Sequence, residues 1–324
     1  LVERAAARHE PAPSTYFTVA PEDSEFESLV VDVTHRCNME CANCYVPNRQ
    51  VPDMDVARLY DLLRRLPRRT YVRLMGGEPT LRDDLPAIIA GIIRLGHKPD
   101  LVTNGLRLAR PEYCQALHAA GLRRVVISMN GADDDAVYRQ LDGGRYATVK
   151  TRALVNALRS RFTVNTGSII ARGINEHVIR RQVELVAACA REAAVDFATM
   201  KPWRRLPPVL RMKTVGAIGR YMAQRGYSLD ELIAIAAEQL GLDAGSVDAE
   251  PVAAGLTYVR YQADGGNRLL RVGTAAGPLL LRFVDWSVNA EGVPDAGNGN
   301  RGRVTADFRI APAFEHVKAN EFVY

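Results

Sequence analysis

The stretch SLVVDVTHRCNMECANCYVP, residues 28–47, sets a short β-branched run against a polar loop carrying three cysteines. SLVVDVT reads as a strand. The loop after it spaces Cys37, Cys41 and Cys44 as C-x3-C-x2-C. The only other cysteines of the 324-residue chain are Cys114 and Cys189. An odd total with three crowded together opposes a disulfide framework and fits a reducing compartment. Cys114 in EYCQAL and Cys189 in LVAACAREA sit within helical patterns, where a buried thiol behaves as a small apolar group.

Outward from that loop, a strand–helix alternation repeats. Strands are expected at 28–34, 71–75, 98–105, 123–131, 162–170 and 195–202. Helices are expected at 55–66, 83–96, 110–121, near 133–140 and 148–160, and at 175–194. Such βα units give parallel strands with right-handed crossovers. Polar and glycine-rich segments follow nearly every strand: the cysteine loop, GGEP, TNG, MNG and KP. A doubly wound sheet would gather them at one switch point. The expected fold is therefore α/β, a partial (βα)6 TIM-like barrel with its chemistry at the C-terminal strand ends.

Beyond residue 202 the texture changes. Helices are expected over 214–226 and 228–241, a hairpin around Asp264–Asn267, and strands in GPLLLRFVDWSV and RVTADFRI. These predict a small α+β subdomain over 203–324, after a barrel at 28–202 and an N-terminal arm at 1–27. Asp285 and Trp286 of the VDWS segment either reach the site or pack a strand.

The composition, 47% hydrophobic and 24% charged, is that of a globular chain. No apolar run is long enough to span a membrane, and residues 1–17 lack a signal-peptide core. A cytoplasmic protein is expected. The net charge of +5 suits an anionic ligand, whereas no basic block marks a nucleic-acid arm, so a nucleic-acid partner is not expected.

Three thiolates can hold three irons of a [4Fe–4S] cluster and leave the fourth iron open, since such clusters take four ligands. A zinc site completed by His35 or another residue is the structural alternative, but the second Cys or His pair common in zinc sites is missing.

The cysteine loop after the first strand, followed one βα unit later by Gly76, Gly77, Glu78 and Pro79, resembles the radical S-adenosylmethionine (SAM) superfamily. The resemblance implies one [4Fe–4S] cluster on Cys37, Cys41 and Cys44, with SAM chelating the open iron. Reductive cleavage to methionine and a 5′-deoxyadenosyl radical would then abstract hydrogen from a substrate. It also implies SAM contacts from Gly76, Gly77, Glu78, Thr103, Asn104, Ser128 and Asn165, and an electron donor such as flavodoxin or ferredoxin. The family usually places an aromatic residue just before the third cysteine, whereas this chain has Asn43 there and Tyr45 one place after Cys44.

A closer similarity is to the molybdenum-cofactor GTP 3′,8-cyclase type. It is carried by VTHRCNMEC, VRLMGGEPTLR, VNTGSIIARGIN, RYQADGGNRLLRVG and GNRGRVTADFRIAPA. Arg36, Arg73, Arg172, Arg301 and Arg303 match positions on the substrate side of that family, which implies an anionic substrate. The cysteines of that family's second cluster fall on Ala296, Gly299 and Ala313. With no thiolate in 203–324 to hold that cluster, guanine recognition and the cyclase reaction are not expected. The implied function is hydrogen abstraction from a small anionic substrate, a nucleotide, nucleoside or sugar acid of specialised metabolism. Modification of a peptide or RNA and a non-enzymatic metal-binding role are the alternatives.

Overall fold

The structure is a computed structural model that describes residues 18–44, 46, 49–197, 207–214, 226–241, 268–284 and 301–312. Strands β1 (Ser28–Thr34), β2 (Tyr71–Gly76), β3 (Lys98–Thr103), β4 (Arg124–Ser128) and β5 (Thr163–Ile170) lie side by side in sequence order, each parallel to the next. The crossovers are α1 (Val56–Arg65), α2 (Leu85–Arg94), α3 (Pro111–Ala119), the pair α4 (Asp135–Asp142) and α5 (Ala147–Arg159), and, after β5, α6 (Val178–Glu192).

Strand alternation separates two faces. Leu29, Val31 and Val33 of β1 and Val72 and Leu74 of β2 join one core with Leu59, Leu62 and Leu63 of α1 and Ile88, Ile89 and Ile92 of α2. Burying each such side chain contributes about 1.5–3 kcal/mol. The α1 start is fixed by Asp55, whose carboxylate accepts from the amides of Ala57 (2.8 Å) and Arg58 (3.2 Å). The residues between these apolar positions, such as Val30, Asp32 and Arg73, face the concave interior.

The later strands depart from the sequence expectation. Val195–Phe197 are not in a strand, and the rest of the expected 195–202 strand lies outside the described residues. The strand beside β5 is β6 (Val209–Thr214), with Asn165 opposite Val209 and Gly167 opposite Arg211. Its text, VLRMKT, hides a half-charged pattern: Leu210 and Met212 enter the helix-side core, and Arg211 and Lys213 point the other way. RVTADFRI is not one strand but a hairpin of β9 (Arg301–Val304) and β10 (Ile310–Pro312), turning through Phe308 at φ 62°. A second hairpin joins β7 (Arg268–Thr274) to β8 (Gly277–Val284). Helix α7 (Leu229–Leu240), capped reciprocally by Ser228 and Glu231, fits its expectation. The expected helix over 214–226 begins on Thr214, the last residue of β6, and its 215–225 part lies outside the described residues, as do 1–17 of the expected arm, the hairpin turn at 264–267, Tyr45, Asp285, Trp286, Ala296, Gly299 and Ala313.

The described strands form one ten-stranded sheet in the order β10-β9-β1-β2-β3-β4-β5-β6-β8-β7. β8 runs parallel to β6, and β9 runs parallel to β1. The strands of residues 268–312 thus extend both edges of the parallel sheet. The curved sheet is open, an α/β partial barrel.

Candidate functional site

The β1–β2 ladder shifts register between Asp32 and Thr34, immediately before the cysteine loop. Such a bulge turns the emerging chain, here across the end of β2. The amide of Gly77 donates to Thr34 O (2.8 Å) and that of Glu78 to Arg36 O (2.8 Å). The approach is too close for any side chain. A Cβ on Gly77 would lie 2.3 Å from Arg36 O and 2.5 Å from His35 O; one on Gly76, at φ +124°, would lie 2.2 Å from Thr34 O. The two glycines therefore serve the seating of the cysteine loop itself.

Glu78 is fully buried. One carboxylate oxygen accepts from the Thr80 amide (3.0 Å), the Thr80 hydroxyl (2.6 Å) and the Thr103 hydroxyl (2.7 Å); the other accepts from the Asn104 amide (2.6 Å). Four donors lock the end of β2 to the end of β3. Asn104 in turn donates from Nδ2 to Asn38 Oδ1 (2.8 Å) inside the cysteine loop. Gly76, Gly77, Glu78, Thr103 and Asn104 are thus brought together around the loop.

The opposite flank of the loop rests on α4, where the Ala42 amide donates to Leu141 O (2.8 Å). Beneath it, fully buried Lys150 donates to Ser128 O (2.7 Å) and stands 3.7 Å from Asp142, which accepts from Asn130 Nδ2 (2.7 Å). The outer edge is held by Asp53, which takes the Thr34 hydroxyl (2.6 Å) and the Arg36 guanidinium (2.6 Å), and by Arg82, which donates to Val33 O and Met54 O at 2.9 Å each.

All three cysteines are free thiols and partly buried. Burial pushes the Cys41 thiol well up, aided by the Asp142 carboxylate and opposed by Lys150. Cys37 is raised as well, chiefly by burial, with its own loop amide and Arg49 pulling the other way. Thiols held protonated in this way ionise when a metal supplies the positive charge. Soft sulfur donors, three on one loop, are by their chemistry suited to a cubane with one iron left to a non-protein ligand, and among the described residues no three such side chains are already drawn into one metal-binding group. The donor set fits the group that the resemblance implies.

Ser128 closes β4 in register with Gly167 of β5; Asn165 lies two residues deeper, level with Val126. Asn165 Oδ1 accepts from the Val209 amide (3.2 Å). Both residues line the interior across the sheet from the cysteine loop.

The five arginines separate. Arg73 and Arg124 both grip the buried carboxylate of Asp100, at 2.9 and 3.0 Å. Arg303 is bonded to Asp32, and Arg301 lies buried beside them on β9. Arg36 instead spends its guanidinium on Asp53 at the loop's exposed edge. Arg172 lies outside the barrel, 2.9 Å from Glu231 and over the Tyr227 ring. An exposed pair and one cation–π contact are worth about 1 kcal/mol. Arg172→Ala is therefore expected to lower stability by about that amount in a urea titration and to leave anion binding intact.

Asp100 sets an acid limit. Burial works to raise its pKa, but Arg124 and Arg73 outweigh burial and draw it down to about 2. Its unfolded value is about 3.9, so its stabilisation is full above pH 4 and disappears as pH falls through 2. Asp100→Asn should cost about 3–5 kcal/mol at pH 7 by leaving two guanidiniums without their carboxylate. The gap between variant and wild type should close in acid, a difference that denaturation across pH 2–7 measures.

Sequence reasoning missed Arg82, Lys150, Asp142, Arg211, Lys213 and Arg282. The last three were readable in principle as charges at alternate positions of apolar strands, VLRMKT and LLLRFV.

A parallel open barrel bearing a three-cysteine loop on its first strand and a glycine pair on its second defines a radical SAM domain. Residues 31–186 match the model of the Radical SAM superfamily. The chain's curated relatives include the GTP 3′,8-cyclase of Xanthomonas axonopodis pv. citri (strain 306), 38% identical over 173 residues, which span 48% of this chain and 50% of that protein. Another is the GTP 3′,8-cyclase of Acidothermus cellulolyticus, 33% identical over 217 residues, 60% of this chain and 58% of that protein. The chain thus spans about half the length of the curated relatives it matches. Among solved structures, SuiB of Streptococcus suis bound to S-adenosylmethionine superimposes with a TM-score of 0.57 over 91% of this chain and 61% of that one. At 13% identity that likeness shows the shared fold. The superfamily works with a [4Fe–4S] cluster and SAM. Among the described residues no helix is long and apolar enough to cross a membrane.

Proposed function

We propose that the protein is a radical SAM enzyme that abstracts hydrogen from a small anionic substrate, a nucleotide, nucleoside or sugar acid, in specialised metabolism. The observation that carries this reading is the placement of the cysteine loop at the mouth of an interior lined by buried arginines.

When bound, the cluster and SAM supply one-electron cleavage of SAM and hydrogen-atom abstraction. Cys37, Cys41 and Cys44 would hold three irons. The Gly76–Gly77 edge would offer backbone groups to the methionyl part of SAM, with Glu78, Thr103 and Asn104 fixing that edge. Ser128 and Asn165 would contact SAM from β4 and β5. Arg73, Arg301 and Arg303 would bind and orient the substrate anion, and the barrel wall keeps water from the reacting centre. Arg36 supports the reading as a loop brace. The electron would come from flavodoxin or ferredoxin, and the compartment would be the cytoplasm. The absence of cysteine from 203–324 supports a reaction other than GTP cyclisation, because those residues offer no thiolate to a second cluster.

The test is anaerobic reconstitution with iron and sulfide, followed by dithionite, SAM and a panel of nucleotides and sugar acids. The expected result is about four irons per chain, a cluster spectrum that changes on adding SAM, and 5′-deoxyadenosine. Protein that binds zinc in preference, or a cluster indifferent to SAM, would overturn the reading.

A further inference from the structure

A buried charge pair with no part in holding SAM or substrate forms the floor of the cysteine loop. The Ala42 amide donates to Leu141 O (2.8 Å). A Cβ on Gly143, the left-handed C-cap of α4, would stand 2.9 Å from Glu40 O. Residues 40 and 42 thus rest on residues 143 and 141, which sets Cys41 across from Asp142.

Asp142 and Lys150 are 1% and 0% exposed. Lys150 is enclosed on every side that the described residues supply. Its Nζ donates to Ser128 O (2.7 Å), stands 3.7 Å from Asp142 Oδ2, and lies 5.2 and 5.9 Å from the ring centroids of Tyr138 and Tyr146. Asp142 Oδ1 accepts from Asn130 Nδ2 (2.7 Å), and Asn130 Oδ1 accepts from the Ile169 amide (3.0 Å). Oδ2 of Asp142 has no hydrogen-bond partner among the described residues. The carboxylate is therefore pinned to the ends of β4 and β5 and can neither turn to solvent nor close fully on the lysine.

Such a pair is weak evidence for stability, since apolar residues of like volume do as well or better. Its position supplies another reason for it. The three thiols are not served alike. Cys44 Sγ accepts from the Val46 amide (3.4 Å), and Cys37 has the Met39 amide and Arg49 in its favour. At Cys41 the charges that act most are Asp142, against the thiolate, and Lys150, for it.

We propose that Asp142 and Lys150 set the reduction potential of the cluster through Cys41, Asp142 lowering it and Lys150 raising it. The proposal rests on the radical SAM reading for the presence of a cluster, and adds to it two residues that act through a ligand without touching substrate. The potential of an iron–sulfur centre follows its net charge and surroundings. One added electron makes the centre one unit more negative. A fixed carboxylate beside a ligand opposes that electron, and a fixed ammonium favours it, most strongly where the dielectric is low.

The experiment is a redox titration of the anaerobically reconstituted full chain at pH 8 without SAM, followed by the EPR signal of the one-electron-reduced cluster. Asp142→Asn keeps the bond from Asn130, and Lys150 keeps its charge there against Ser128 O and two ring faces. This variant is expected to raise the equilibrium constant for reduction at least tenfold, about 59 mV upward. Lys150→Met, of like length, is expected to shift it at least tenfold the other way. The double variant, which removes both charges, should fall between the two. Damage to the fold alone would not move the two single variants in opposite directions. A shift below tenfold in Asp142→Asn, or a potential not lowered in Lys150→Met, overturns the proposal; if Lys150→Met does not fold, Asp142→Asn decides alone. Asp142→Asn should also hold at least as much iron as the wild type, because a charge opposed to the thiolate is gone, and loss of iron from it overturns the proposal too. The wild-type spectrum is recorded with and without SAM. Shifted variants of a cluster indifferent to SAM would sink the radical SAM reading and leave the charge pair. A SAM-responsive cluster with unmoved potentials would sink the charge pair alone, and a wild type that takes up no four-iron cluster would sink both.

Discussion

Cys41→Ser is expected to remove most of the iron and to reduce 5′-deoxyadenosine formation by more than two orders of magnitude. Even an outer-shell partner of a metal ligand is worth about 10–100-fold, and a ligand is worth more. Cys41 is the thiol whose ionisation the protein opposes most openly, through burial and the Asp142 carboxylate. Metal must therefore supply the charge that the site lacks, and a serine hydroxyl, harder and less acidic, cannot respond as a thiol does. Iron analysis and the cluster's visible absorption after anaerobic reconstitution measure the effect. A variant that keeps full iron and SAM cleavage would remove Cys41 from the ligand set. The fold should survive, because the loop is anchored by backbone bonds from Ala42, Gly77 and Glu78.

Gly77→Ala should be as damaging by a different route. The added methyl meets two carbonyl oxygens at 2.3 and 2.5 Å, both belonging to the backbone of the cysteine loop. No rotamer change relieves a backbone clash, so the loop must lift from β2. The bonds from Gly77 to Thr34 and from Glu78 to Arg36 would go with it. A loss of about 3–5 kcal/mol is expected from overlap and broken buried hydrogen bonds together. The reconstituted variant should hold its cluster poorly even with all three cysteines present. Urea denaturation and iron content read the two effects separately. A stable variant with normal iron would show that the glycine is not required for seating.

The barrel was legible because its first five strands and their crossovers obey plain periodicities. SLVVDVT and the YVRLM stretch within β2 announce themselves by branched and apolar residues, and DVARLYDLLRRL by its cap and its three-and-four spacing. The cysteine loop was legible because three thiolates in eight residues have few other uses. β6 was not, since it puts Arg211 and Lys213 on the face toward the barrel interior and so breaks the apolar run that marks a buried parallel strand. The arm of arginines was half legible. Their chemistry pointed to an anion, but Arg36 and Arg172 turn to Asp53 and Glu231, and only the folded register shows which way a guanidinium looks. The glycine pair was expected as a contact for SAM; that it is also where the chain's own cysteine loop comes close needed the structure.

The pairing of β1 with β9 joins Ser28 to Arg301, and the Val19–Ile310 bridge spans nearly the same distance along the chain. β1 thus waits for a strand far downstream before its edge is covered, and contacts so remote in sequence close late. Until then, the thiols beside β1 belong to an unfinished rim. Metallation should accordingly follow closure of that edge, and pulse-labelling of the amides of Ser28–Thr34 during refolding should find them protected only after those of β3 and β4.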